Sequence, residues 1–100
     1  MATTNKGPKP KWTFLTNHSH VLVCLMEDPE LRGRDIAEKV GITERATQKI
    51  ISDLVEEGFL KRKRIGRRNH YELKVDKRLR HPLEKHKTLR DLMEAVSGKI

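Results

Sequence analysis

Apolar residues recur at helical spacing three times in the first half of the chain, and then the spacing changes. Val21, Leu22, Leu25 and Met26 fall at i, i+1, i+4 and i+5, one face of a helix over Ser19 to Glu27. Thr16 or Asn17 suits its N-cap, and Asp28-Pro29 ends it. Leu31, Ile36, Ala37 and Val40 point inward on a second, shorter helix over Leu31 to Val40, whose outer side carries Arg32, Arg34, Glu38 and Lys39. Gly41 supplies the left-handed residue that closes it. Thr43 then caps a third helix, with Glu44 in its first turn, that runs to Glu57 and stops at Gly58. Ile50, Ile51, Leu54 and Val55 form its buried stripe; Glu44, Arg45, Gln48, Lys49, Ser52 and Asp53 face outward.

From Phe59 the period shortens towards alternation. Phe59 to Ile65 and Asn69 to Val75 read as two strands around Gly66-Arg67-Arg68, a hairpin with a basic tip. Pro82 suits the first turn of a last helix striped by Leu83, Leu89, Leu92, Met93 and Val96. The expected fold is therefore mainly α with a small β-hairpin. Two short helices joined by a tight glycine turn are a helix-turn-helix, and a following hairpin makes it winged: a three-helix core plus wing, with an additional C-terminal helix. Residues 1–11, polar with Pro8, Pro10 and three lysines, form a disordered arm; 12–80 form the winged domain; 81–100 form the last helix. The apolar stripe of that helix must be buried somewhere, and its place outside the minimal motif makes it a dimerisation element. Trp12 and Phe14 read as packing anchors.

One hundred residues make one domain. Leu, Ile, Val and Phe number 25, enough for a small core. The longest apolar run, Val21 to Met26, is six residues, too short for a membrane span, and nothing in Met1 to Lys11 resembles a secretory signal. The lone Cys24 excludes an intrachain disulfide and reads as an inert thiol in a reducing, cytoplasmic setting. His18 and His20, and His81 and His86, are spaced so as to fall on different faces; with His70 they make no metal site, and no cofactor is expected. The chain has no glycine-rich phosphate loop, no Ser-His-Asp set and no paired carboxylates in an apolar setting, so it reads as a non-enzyme.

The charge is where the chemistry lies. The formal net is +8, and Lys61 to Arg80 alone holds ten basic residues against Glu72 and Asp76, which accounts for the whole excess. Such a concentrated stripe attracts a polyanion, and behind a helix-turn-helix that polyanion is double-stranded DNA. A helix about 10–12 Å across fits a major groove about 12 Å wide. Near the start of the third helix, Arg45 and Lys49 match guanine and Gln48 matches adenine. Arg67 and Arg68 at the hairpin tip would reach phosphates or the minor groove.

Beyond the architecture, particular segments resemble a known group. Thr16-Asn17-His18, the run Arg34 to Ala46, Val55-Glu56-Glu57-Gly58-Phe59-Leu60, Gly66-Arg67-Arg68-Asn69-His70-Tyr71 and Leu79-Arg80-His81-Pro82-Leu83-Glu84 look like the small prokaryotic winged helix-turn-helix transcriptional regulators related to the MarR family. The resemblance spans Trp12 to Val96. It implies a homodimer that regulates transcription, with Thr43 to Ser52 as recognition helix and Lys61 to His70 as wing. The expected DNA contacts are then Thr43, Glu44, Arg45, Gln48, Lys49 and Ser52 on the helix, Lys61, Arg62, Lys63, Arg64, Arg67, Arg68, Asn69 and His70 on the wing, and Arg32 and Arg34 before it. Two positions depart from the pattern. Thr47 replaces an aliphatic residue, which predicts a rotated helix face or a loose core there; Arg32 replaces a capping Ser or Thr. The competing expectation is a winged-helix module that docks a partner protein, and the concentrated basic wing argues against it.

Overall fold

The turn that defines the motif is built as its local sequence requires. In the computed structural model, which describes residues 9–97, α2 (Gly33–Val40) ends at Gly41, whose φ of 86° lies in the left-handed region. The Ile42 N–H returns to the Ala37 carbonyl at 3.0 Å, the closing bond of a Schellman turn. Two residues later the Thr43 hydroxyl oxygen accepts the Ala46 N–H at 3.0 Å and opens α3 (Glu44–Glu56). α1 (Asn17–Glu27) precedes this pair and packs on both.

After α3 the chain folds back as an antiparallel hairpin of β1 (Leu60–Ile65) and β2 (Arg68–Leu73), joined by the two residues Gly66 and Arg67. Gly66 takes φ 62° while no described non-glycine residue has a positive φ, the pattern of a type II′ hairpin turn. Arg68 thus belongs to β2, and Val75 lies beyond it. The Tyr71 N–H is donated to the Pro29 carbonyl at 3.0 Å, so the loop after α1 pairs with the free edge of β2.

The last helix is shorter than the sequence suggests. α4 spans Leu89–Ser97, not a stretch beginning at Pro82, and residues 81–87 form turns. Thr88 and Asp91 explain the start. The Thr88 N–H is donated to Asp91 Oδ2 at 2.9 Å and the Asp91 N–H to Thr88 Oγ1 at 3.3 Å, a reciprocal cap that satisfies two N-terminal donors. These bonds also hold the Asp91 carboxyl below the usual carboxylate range. Ahead of it, Leu79 N–H binds the Lys87 carbonyl at 2.9 Å and Leu89 N–H the Lys77 carbonyl at 2.9 Å, folding the segment back on itself. α2 likewise starts two residues later than Leu31. Arg32 is extended and offers no capping side chain, while Leu31 still packs against the core.

Val21, Leu25, Ile36, Ile51, Leu89 and Met93 are almost wholly buried together between the helices, and Phe59, Leu60 and Tyr71 join the hairpin to them. Leu89 and Met93 therefore lie in the chain's own core, where α4 packs on α1; Leu92 is half-buried and Val96 exposed. Cys24 is half-buried, and burial pushes its thiol pKa up.

Thr47 neither rotates α3 nor loosens the core. It is fully buried in line with Ile50, Ile51 and Leu54, and its hydroxyl is donated to the Thr43 carbonyl at 3.0 Å. That carbonyl also receives the Thr47 N–H at 3.0 Å, so losing the hydroxyl strands no partner. Thr47→Val is accordingly expected to leave stability within about 1 kcal/mol of the wild type, whereas Thr47→Ser, which loses a buried methyl, costs about 1 kcal/mol. Urea unfolding of the two variants checks the pair; a Val variant weaker than the Ser variant would refute this account.

Candidate nucleic-acid interface

α3 turns one face to the core and leaves Thr43, Glu44, Arg45, Gln48, Lys49 and Ser52 exposed. Their side chains differ in freedom. Arg45 and Ser52 have no side-chain hydrogen bond or ion pair among the described residues. The Thr43 hydroxyl oxygen is engaged in the cap. The Gln48 amide lies against Gly33 at the start of α2, so closely that a Cβ on Gly33 would collide with Gln48 Nε2. Glycine at 33 thus lets the glutamine lie across the junction of the two helices.

Lys49 is held back. Its Nζ donates to Asp53 Oδ1 at 2.7 Å, one turn along α3, and Asp53 Oδ2 lies 3.0 Å from His18 Nε2 on α1. The Lys49 hydrogen bond first, and that of His18 second, keep the Asp53 carboxyl below its ordinary value. The same bond to Asp53 raises the Lys49 ammonium pKa. The carboxylate is therefore ionised at neutral pH. Its contribution to folding is present above its unfolded pKa and is lost as acid carries pH down through the lower folded one.

The wing's basic run divides by strand parity. Cross-strand partners share a face, so Arg62 with Tyr71 and Arg64 with Asn69 lie on the side of Leu60; Lys61 with Glu72 and Lys63 with His70 lie on the other. Arg62 stacks on the Tyr71 ring, 5.6 Å from its centroid. Arg68 Nη2 donates to the Glu30 carbonyl at 2.8 Å, and His70 Nδ1 is 3.3 Å from Glu30 Oε2, so two expected contact residues clamp the wing to the α1–α2 loop. Arg67, in the turn itself, has no partner among the described residues, and Arg32 and Arg34 are likewise exposed and unpaired there. Of the expected cationic contacts, Arg32, Arg34, Arg45, Lys61, Lys63 and Arg67 have no partner among the described residues, whereas Lys49, Arg62, Arg64 and Arg68 have internal ones.

Besides Asp53 and its partner His18, two participants lie outside the expected set. Lys9 Nζ donates to the Gly41 carbonyl, bringing the end of the N-terminal arm to the turn between α2 and α3. The rest of the arm expected over 1–11, residues 1–8, lies outside the described residues, as do 98–100 of the last helix. Glu30 is the other, and it is 38 and 40 positions from the residues it holds, so no local pattern marks it. Asp53 was visible as a pairing i+4 from Lys49; its contact to His18 was not.

The arrangement is a helix-turn-helix with an exposed second helix and a basic hairpin beside it. Residues 15–61 match the family described as winged helix-turn-helix DNA-binding. The match takes in α1, α2, α3 and the first residues of β1, and it accords with the observed fold of four helices and a two-stranded hairpin. No curated protein matches the chain. Among the described residues no helix is long and apolar enough to cross a membrane.

Proposed function

We propose that this chain is a cytoplasmic, sequence-specific regulator of transcription that binds double-stranded DNA as a homodimer, in the manner of the small winged-helix regulators related to the MarR family. α3 enters the major groove, Arg45 and Gln48 meet base edges, and Arg67 holds a phosphate or the minor groove. Thr43, Ser52, Arg32 and Arg34 lie along the flanking backbone, Glu44 accepts from a base amino group, and one strand face of the wing, Lys61 and Lys63, supplies further phosphate contacts. The supporting observation is that Arg45, on the exposed face of α3, has no partner among the described residues while residues 15–61 around it match a DNA-binding family. The molecule measures 38 × 34 × 25 Å, a size compatible with two copies presenting equivalent helices about one DNA turn, ~34–36 Å, apart. Selection of bound sequences from a random duplex pool, with the mass of the complex measured, tests the reading. A near-palindromic consensus bound two chains to one duplex is expected, and recovery of no consensus would refute sequence-specific binding.

Within this reading Asp53 acts as a brake. It neutralises Lys49 beside the groove and is itself repelled by phosphate. Asp53→Asn is expected to tighten binding to random duplex several-fold and to steepen the salt dependence by about 0.9, one phosphate contact. The same change in a Lys49→Gln background should leave the slope unaltered. Anisotropy titrations over a salt series measure both.

A further inference from the structure

A cleft lies along the later turns of α3, past the Arg45 and Gln48 end, and meets the expected DNA surface at Asp53. It has a volume of about 700 Å³ and is floored by Leu22, Leu54, Phe59 and Leu89. Asp53, Glu56, Glu57 and Glu84 stand around it, opposed by Arg80, whose Nε is 3.7 Å from Glu57, and by His18. In a chain of net charge +8 this is a local concentration of negative charge. The side chains of Glu56 and Glu84 form no hydrogen bond or ion pair among the described residues.

Beside the cleft the molecule exposes apolar groups that a single chain leaves in water. Phe14 is 92% exposed on the cleft wall, with Trp12, 68% exposed, packed edge-on against it at 5.0 Å. Leu83 is 80% exposed at the tip of the turns before α4, and His81, Lys85, His86 and Lys87 surround it in sequence. An apolar tip flanked by His81, Lys85, His86 and Lys87, with Glu84 its one adjacent acid, thus stands next to an apolar cleft whose rim is mostly carboxylate. Such a surface is complementary to itself, and a two-fold contact satisfies both halves at once and then closes. A small apolar cation would fill the cleft but leave Phe14 and Leu83 in water.

We infer that two copies of this chain associate through this cleft, each seating its Leu83 tip and the Trp12–Phe14 pair against the acidic cleft of the other. The inference deepens the homodimer proposed above and rests on it. It places the seam on the cleft and the tip, where α4 supplies Leu89 and Leu92 to the lining, rather than on a contact of α4 with the partner's α4. Glu56 is eleven residues along α3 from Arg45, roughly 16 Å, so the contact leaves Arg45 clear, and Asp53 stands at the border between the two surfaces.

Trp12 is the single tryptophan, which makes its emission a reporter of the seam. Sedimentation without DNA is expected to give a dimer, and on dilution the mass and the Trp12 emission should change together, the emission shifting red as the dimer parts. Leu83→Glu and Phe14→Glu should each weaken association about tenfold or more while the circular dichroism of the monomer stays unaltered, because both positions are exposed. Val96→Glu, exposed on α4, should leave the dimer intact. A chain that is monomeric at every concentration, a dimer indifferent to Leu83→Glu and Phe14→Glu, or one dissociated by Val96→Glu alone would overturn the inference. Duplex binding by the same proteins separates the two proposals. A monomer that binds duplex removes this seam and the homodimer but leaves the DNA reading, and a dimer that binds no duplex removes the DNA reading alone.

Discussion

Arg45→Ala combined with Arg67→Ala is expected to flatten the dependence of log affinity on log salt by about 0.9, the one phosphate equivalent of Arg67, and to weaken binding at least about tenfold. The two halves of the effect separate. Arg67 lies in the hairpin turn with no partner among the described residues, so its removal should weaken every duplex alike. Arg45 lies in the first turns of α3, so its removal should also narrow the gap between the preferred site and a scrambled one, by about 1–3 kcal/mol if it reads a guanine. Arg68 is the poorer probe of the wing. Its guanidinium is bound to the Glu30 carbonyl, so Arg68→Ala removes a charge and also releases the wing from the α1–α2 loop. Anisotropy titrations on both duplexes at several salt concentrations distinguish these outcomes. An unchanged slope for Arg67→Ala would take the wing tip off the phosphates, and an unchanged preference for Arg45→Ala would move base reading elsewhere on α3.

What the sequence made legible was local. Gly41-Ile42-Thr43 carries its own instructions, a left-handed closure followed by a hydroxyl cap, and the turn forms as those residues dictate. Gly66 does the same for the hairpin. The start of α4 was misread although its signal was also local. Proline at a first turn permits a helix without starting one, and Leu83 was the single apolar residue a helix from Pro82 could have added before Leu89. Thr88 and Asp91 satisfy two donors at once, and the helix begins there. Thr47 looked like a fault because its hydroxyl is polar; inside α3 that hydroxyl bonds to the preceding turn and only the methyl faces the core. The basic wing was read as one surface, yet strand parity puts Arg62 and Lys63 on opposite faces. Contacts between distant segments left no trace in local pattern. The hold of Glu30 on Arg68 and His70, and of Asp53 on His18, needed the fold to bring them together.

Met93→Ala is expected to lower the free energy of unfolding by about 2–5 kcal/mol, a large part of the roughly 5–15 kcal/mol that stabilises a domain. Met93 is fully buried where α4 lies on α1, so its truncation leaves a cavity that the surrounding helices can close only in part. In a chain of this length each kcal/mol moves the melting midpoint by about 4–8 °C, so the loss is plain in a thermal scan. Val96→Ala, three residues on but exposed, should stay within about 0.5 kcal/mol. The contrast bears on where α4 belongs. If its stripe is intrachain core, the Met93 penalty is the same in dilute and concentrated protein. If the stripe were a seam between subunits, the penalty would depend on concentration, because association stabilises the folded chain by mass action. Urea unfolding of wild type, Met93→Ala and Val96→Ala across a range of concentrations decides between them. A Met93 effect that changed with concentration would move the dimer contact from the cleft back to α4.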